Sequence, residues 1–173
     1  MSARVRDAEP RDLAAITAIY AHHVRNGLAS FELEAPDEPE MRRRFEAIRA
    51  QGLPWIVAEI EGEVAGYAYA GAYRTRPGYR HTLEDSIYVH PRRLGHGAGH
   101  ALLARLIERC EAAGCRQLVA VIGDSGNAAS IRLHAAHGFE PAGTLRSIGF
   151  KHGRWVDSVL MQRPVGAGDA TPP

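Results

Sequence analysis

Three glycines at every second position, Gly95, Gly97 and Gly99, lie between a strand-forming run and a helix-forming run. Before them, Ile87, Tyr88 and Val89 favour a strand, and Pro91 ends it because proline donates nothing to a ladder. After them, Leu102, Leu103, Leu106, Ile107 and Cys110 recur at spacings of three and four, one face of a helix. Strand, glycine loop and helix together make a phosphate-binding arrangement. The first N–H groups of a helix have no internal partner, its dipole places partial positive charge there, and glycine lets an anion approach the backbone. Two familiar phosphate loops are excluded by spacing. Neither Lys-Ser nor Lys-Thr occurs, which removes Gly-x-x-x-x-Gly-Lys-Ser/Thr. Gly-x-Gly-x-x-Gly needs a third glycine where His100 or Leu102 stands.

Other side chains carry potential chemistry. Glu84 and Asp85 begin the strand, and alternation puts them on opposite faces. Arg74 and Arg76 lie in a basic loop, and a guanidinium binds planar anions through two parallel hydrogen bonds. His96 and His100 are four apart, as helical zinc ligands would be, but no Glu follows His96. The pairs His22/His23 and His134/His137 have no carboxylate at ligand spacing, so no metal is expected. Cys110 and Cys115 do not form Cys-x-x-Cys and suit a reduced compartment.

The chain that must position these groups has 173 residues, enough for one domain with a real core. Its 45% apolar and 24% charged composition is that of a globular protein. A net charge of +1 gives no broad electrostatic case for nucleic acid or a membrane surface. No apolar run approaches the roughly 20 residues of a membrane span. The opening Met-Ser-Ala-Arg does not read as a signal peptide, so the expected location is the cytoplasm.

Periodicity predicts a short strand at 3–6, a helix from Pro10 to about residue 25, a loop over 28–39, and a second helix carrying Met41, Phe45 and Ile48 inward. Strands at 55–60 and 64–73 form a hairpin about Glu61-Gly62, the second one rich in Gly and Ala. The glycine-loop strand and helix follow, then an apolar run at 117–122 that suits a strand buried on both faces. A helix is predicted at 128–137 with Ile131, Leu133 and Ala135 on its apolar face, then strands at 139–145 and 155–161. Residues 1–163 form the domain, and the Gly/Pro-rich 164–173 is expected to be a disordered tail. The order β-α-α-β-β-β-α-β-α-β-β makes a mixed α/β sheet with helices on both faces.

The stretch Leu94-x-x-Gly97-x-Gly99-x-x-Leu102-Leu103 after a Val-x-Pro strand end resembles the acyl-CoA pyrophosphate loop of the GNAT-superfamily N-acetyltransferases. The usual Gln/Arg-x-x-Gly-x-Gly/Ala has Gln or Arg where Leu94 stands; a shifted match from Arg92 restores the arginine but loses the Leu-Leu pair. Asn127-Ala-Ala-Ser130-Ile-Arg-Leu133-His134, ending in Gly138-Phe139, resembles a second motif of that superfamily, with His134 at the usual Tyr position. Ser30-Phe31-Glu32, Val64-Ala-Gly-Tyr-Ala-Tyr-Ala-Gly71, Glu84-x-Ser-Ile-Tyr-Val-His-Pro91 and Gly149-Phe-Lys-His-Gly-Arg-Trp-x-Asp157 narrow the likeness to the phosphinothricin and methionine-sulfoximine N-acetyltransferases. It covers residues 3–163. The resemblance implies the GNAT fold, an α/β (α+β) architecture with a mixed, mostly antiparallel sheet of about seven strands. It also implies acetyl-CoA as co-substrate and a homodimer.

Acetyl transfer to an amine has four requirements: loss of a proton from the ammonium, a held thioester, a donor for the oxyanion, and a stabilised thiolate. Glu84 matches the family's catalytic glutamate by position and is the candidate base. His134 has the near-neutral titration suited either to protonating the thiolate or to relaying the amine's proton. Ile87, Tyr88 and Val89 are the candidate backbone partners of the oxyanion and pantetheine. Leu94, Gly95, His96, Gly97, Ala98, Gly99 and His100 form the pyrophosphate loop, with Arg93 able to assist, and Asn127 and Ser130 meet the pantetheine arm. Phe31, Arg74, Arg76, Glu84 and Ser86 are the substrate candidates, with Lys151, His152 and Trp155 as further lining, in this or a neighbouring subunit. The expected reaction is acetylation of the α-amine of a small amino-acid-like substrate. A peptide N-terminus or a polyamine, and a non-catalytic CoA-binding module, are the rival readings.

Overall fold

The computed structural model describes residues 3–173. Its elements are β1 (Arg4–Asp7), α1 (Leu13–Asn26), α2 (Glu38–Ala50), β2 (Trp55–Ile60), β3 (Glu63–Ala72), β4 (Thr82–Val89), α3 (Ala98–Ala112), β5 (Gln117–Gly123), α4 (Ala128–Ala136), β6 (Glu140–Lys151) and β7 (Arg154–Pro164). The seven strands form one sheet in the order β1-β2-β3-β4-β5-β7-β6. Every neighbouring pair is antiparallel except the central β4–β5 pair. This is the fold class expected from the element order.

Alternation divides the sheet into two apolar faces. On one, Leu13, Ile16 and Val24 of α1 and Met41 and Phe45 of α2 bury against Trp55, Val57 and Tyr67. On the other, Leu102, Leu103, Leu106 and Cys110 of α3 bury against Ala58, Ala68, Ala70 and Leu118. The small residues of β3 are what admit α3: a Cβ added at Gly66 would lie 3.2 Å from Leu102 Cδ1 and 2.9 Å from the Tyr88 carbonyl. Asp37 starts α2 by accepting a hydrogen bond from the Glu40 N–H at 2.9 Å.

The central pair organises everything that follows. β4 and β5 are paired only from Thr82↔Gln117 to Asp85↔Ala120. Beyond that point β4 stays with β3 as far as Val89, and β5 stays with β7 as far as Gly123. The sheet therefore opens into a wedge between residues 86–89 and 121–123.

The structure differs from the sequence reading at several places. A 3-10 turn, Pro10–Asp12, precedes α1, and β1 begins and ends one residue later than expected. On α4, Ile131 and Leu133 pack against the core but Ala135 is exposed, and the buried residue is His134. Residues 146–151, beyond the strand expected to end at 145, continue β6, and the reversal comes at His152 and Gly153, both at positive φ. A break in register between Leu145 and Gly149 hides the strand alternation there. After β7, where composition predicts disorder, Val165 is buried and its N–H donates to the Arg116 carbonyl at 3.0 Å. Arg116 Nε donates to the Gly168 carbonyl at 2.7 Å. A guanidinium with several donors holds the tail that composition alone would free.

Candidate active site

Backbone groups along β4 line the wedge. The His90 N–H donates to the Ala65 carbonyl at 2.8 Å, which sets the alternation. Even-numbered residues turn their backbone groups to β3, and Ile87 and Val89 turn theirs into the wedge. Tyr88 lines the opening, but its backbone belongs to the β3 ladder, unlike the equal roles expected for residues 87–89. The Val89 carbonyl accepts from His23 Nε2 at 2.8 Å, so His23 braces this edge from α1. Ile87 is left with backbone groups facing the gap.

From the wedge a groove of ≈ 840 Å³ runs to the N-terminus of α3. Gly95 and Gly97 take φ of +78° and +81°, conformations that L side chains rarely adopt. Gly97 is the N-cap of α3 and makes no side-chain cap, and the helix ladder begins with the Ala101 N–H on the Gly97 carbonyl at 3.0 Å. The N–H groups of Ala98, Gly99 and His100 therefore precede the ladder and are available to an anion. Gly99 also lets α3 approach α4: an added Cβ would meet Leu133 at 3.4 Å. Leu94 is 59% exposed and lines the groove, where it offers contact but no charge.

Two of the expected loop contacts are occupied or turned aside. Arg93 lines the groove, but its guanidinium is held by Glu61 at 3.0 Å and Glu63 at 3.3 Å. His96 lies outside the groove lining and donates from Nδ1 to the Leu94 carbonyl at 2.9 Å. His100 remains on the groove, with Nδ1 3.1 Å from His137 Nε2. Asn127 caps α4 by accepting from the Ser130 N–H at 3.2 Å, and both residues line the groove.

The sequence reading missed one wall of the groove. His23, Asn26, Leu28 and Ala29, at and after the end of α1, face the glycine loop across the groove. Gly123 closes the wall at its inner end, in contact with the Leu28–Ala29 backbone. The signal available for this was the exhaustion of the helical pattern near Gly27, which marks where α1 stops but not what it faces.

The two proton-transfer candidates sit on opposite sides of β4. Glu84 shares a face with Ser86, Tyr88 and Tyr69, the β3 partner of Ser86, on the α1/α2 side. It is half-buried, and burial followed by the nearby Asp85 charge pushes its carboxyl above the usual range. His134 is buried on the α3/α4 side, with Nε2 2.9 Å from Asp85 Oδ2 and Nδ1 2.8 Å from the Ser130 carbonyl. Burial alone would lower its pKa, but the hydrogen bond and charge of Asp85 outweigh burial and raise it. A cavity of ≈ 50 Å³ at the apex of the wedge is lined by Asp85, His134, Ser130 and Ile87.

On the Glu84 side, Ser86 lies beside the Tyr69 hydroxyl. Phe31 is 38% exposed, and its ring packs so closely on β6 that a Cβ at Gly149 would lie 2.6 Å from it. Lys151 is buried in its own chain and donates to the Ser30 carbonyl at 2.6 Å. Burial lowers its pKa, and Glu32 opposes that. Arg74 and Arg76 are exposed; Arg74 stacks on Tyr73 at 5.1 Å, and neither meets a carboxylate among the described residues. His152 and Trp155 are exposed at the β6–β7 turn. Among the described residues no group of three or more His, Cys, Asp or Glu is placed to hold a metal ion. Nor is any helix among them long and apolar enough to cross a membrane.

Comparison with known proteins places this geometry. The acetyltransferase (GNAT) family model matches residues 16–139. The phosphinothricin N-acetyltransferase of Alcaligenes faecalis is 59% identical over 169 residues, 98% of this chain and 86% of that protein. The L-methionine sulfoximine/L-methionine sulfone acetyltransferase of Salmonella typhimurium is 42% identical over 158 residues, 91% of this chain and 92% of that one. Among solved structures, a GNAT-superfamily phosphinothricin acetyltransferase from Sinorhizobium meliloti in complex with AcCoA superposes with a TM-score of 0.97 at 50% identity, covering 100% of this chain and 94% of that one.

Proposed function

This chain belongs to the acetyltransferase (GNAT) family, and from that premise we propose that it moves the acetyl group of acetyl-CoA to the α-amine of a small amino-acid-like acceptor of the phosphinothricin, methionine sulfoximine or methionine sulfone type. The observation that carries the reading is the wedge. It joins a groove with a phosphate-binding helix end to a site that has Glu84 on one side and His134 on the other.

The residues fit acetyl-CoA as co-substrate. The free N–H groups of Ala98, Gly99 and His100 suit the pyrophosphate, and Asn127, Ser130 and the Ile87 edge suit the pantetheine arm. The thioester then lies near the apex, with the Ile87 N–H available to the developing oxyanion. The acceptor enters from the Glu84 side. Glu84 takes a proton from the ammonium, and its raised pKa makes it a better base near neutrality than an ordinary carboxylate. The amine attacks the carbonyl carbon and the C–S bond breaks. The His134 side then serves the thiolate. Arg74 and Arg76, exposed and without a carboxylate partner among the described residues, are the candidates for the acceptor's carboxylate or phosphinate, with Phe31 and Ser86 beside it.

The test is thiol release from acetyl-CoA with L-phosphinothricin, L-methionine sulfoximine, L-methionine sulfone, spermidine and a short peptide as acceptors. Turnover confined to the first three is expected. Replacing Arg74 with Ala should raise KM for those acceptors several-fold with little change in KM for acetyl-CoA. Turnover with spermidine or peptide alone would overturn the acceptor class.

A second copy of the chain is the partner we infer for β6. Leu145, Ile148, Phe150 and Trp155 are 48%, 57%, 56% and 64% exposed on one hairpin at the sheet edge. Large apolar side chains grouped this way mark an interaction surface. Ile148→Glu is expected to halve the mass seen by sedimentation; an unchanged monomeric mass in the parent would remove the dimer.

A further inference from the structure

The contacts of His134 fix how many protons its neighbourhood holds. Nδ1 faces the Ser130 carbonyl at 2.8 Å, which can only accept, so Nδ1 carries a proton. Nε2 faces Asp85 Oδ2 at 2.9 Å. A neutral imidazole has a single N–H, and that one is committed to Ser130. The contact to Asp85 therefore needs one more proton, shared between a ring nitrogen and a carboxylate oxygen. The His134 side chain is 5% exposed and that of Asp85 is 1% exposed, so the pair is sealed from bulk water except at the wedge apex. Asp85 Oδ1 has no hydrogen-bond partner among the described residues. Strand alternation, which removes Asp85 from the Glu84 face, is what delivers it to His134.

We propose that Asp85 is a positioning residue for the transfer: it holds His134 doubly protonated and so makes that imidazolium the acid for the departing thiolate. This rests on the acetyl-transfer reading above. When the C–S bond breaks, the sulfur keeps the electron pair and gains a proton. Ser130 Oγ lies 3.4 Å from His134 Nδ1 and lines both the apex cavity and the groove. It gives its proton to sulfur and takes the Nδ1 proton, leaving His134 neutral with its one N–H on Asp85 and its hydrogen bond to the Ser130 carbonyl given up until the pair is reprotonated. The ammonium loses two protons in becoming an amide, one to Glu84 and one to solvent as the intermediate collapses. Release of CoA reopens the wedge, the pair regains its proton from solvent, and Glu84 returns its own to solvent. The titratable and charged groups around the pair are Glu84 on β4, Cys110 on α3, and His137 on α4 with His100 and Arg163 beyond it. Of these, the Glu84 carboxylate favours the charged imidazole, as Asp85 itself does, while His137 opposes it.

Asp85→Asn keeps the shape and removes the charge. In this variant kcat should fall about 100-fold, within the range for loss of general acid catalysis. KM for acetyl-CoA should stay within about twofold, a kcat-against-KM split that damage to packing would not give. The alkaline limb of the kcat profile, set by loss of the His134 proton, should move to lower pH. Asp85→Glu should recover part of the rate. Asp85→Asn combined with His134→Asn should be no slower than His134→Asn alone, because Asp85 acts through the histidine. His134 titration followed by NMR, which needs no turnover, should move down by about one pH unit or more in Asp85→Asn. An unchanged titration overturns the proposal even if the acetyl-transfer reading also fails. Normal turnover in the parent with an unchanged kcat and pH profile in Asp85→Asn overturns the proposal and leaves that reading standing.

Discussion

Glu84→Gln is expected to lower turnover by about 10²- to 10⁴-fold while leaving acetyl-CoA bound, the range typical of a general base removed from its reaction. The isosteric amide keeps the volume beside Ser86 and Tyr69 but has no basic oxygen. The sign of the pH dependence separates a base from a packing residue. In the parent, the Glu84 carboxyl is pushed up by burial and by Asp85, so kcat/KM should fall as pH drops through that raised value and the carboxylate becomes protonated. In the variant that limb disappears. The residual rate then follows the free-amine fraction and rises about tenfold per pH unit on the acid side of the His134 limb. Initial-rate kinetics from below the Glu84 limb up to the acceptor's own pKa make the comparison. A variant within about threefold of the parent, with the same profile, would remove Glu84 from the chemistry.

Gly123→Ala is expected to damage both stability and acetyl-CoA affinity, although it adds only one methyl group. The added Cβ would lie 2.2 Å from the Leu28 carbonyl oxygen and 3.2 Å from the Ala29 carbonyl. These are backbone atoms, so no side chain can rotate away. Either the end of β5 or the segment after α1 must shift, at about 1–3 kcal/mol for an overpacked site. Because Leu28, Ala29 and Gly123 line the groove, the shift falls on the wall that receives the cofactor. Losing about 1.4 kcal/mol of binding corresponds to a tenfold weaker Kd. Calorimetric titration with acetyl-CoA should show at least that, and the thermal midpoint should fall. Gly71→Ala, where the nearest atom is Ile48 Cδ1 at 3.9 Å, is the control and should change neither. An unaltered Kd and midpoint in Gly123→Ala would mean that the groove wall has slack the geometry does not suggest.

The legible parts of this fold are those in which one segment declares its own geometry. The glycine loop and α3 were readable because positive φ at Gly95 and Gly97 and an apolar stripe from Leu102 to Cys110 are local properties. The opposite faces of Glu84 and Asp85 were readable from alternation alone. What was hidden depends on residues distant in the chain. The Asp85–His134 contact joins a strand to a helix 49 residues later, and no local pattern announces it. His23 reaches across 66 residues to the Val89 carbonyl. Arg93 looked free for phosphate because its carboxylate partners, Glu61 and Glu63, sit on an earlier turn. Residues 146–151 concealed a strand because the register break displaces the alternation by which strands are read. Arg116 holds the tail across 52 residues, so composition could not predict its order.

The short seam between β4 and β5 also bears on how the chain assembles. β2 and β3 meet through the tight Glu61-Gly62 turn, β4 follows in chain order after a longer loop, and β6 and β7 meet across His152-Gly153. Such neighbours close small loops and form early. The two blocks are then joined by a parallel pairing only four residue pairs long, reached by a crossover through α3. Closing that seam joins segments distant in the chain, as the pairing of β5 with β7 also does. The residues that complete it, Glu84 and Asp85 with Val119 and Ala120, also set the apex of the wedge. The catalytic geometry therefore depends on a seam of four residue pairs, and whatever parts those pairs removes the site with them.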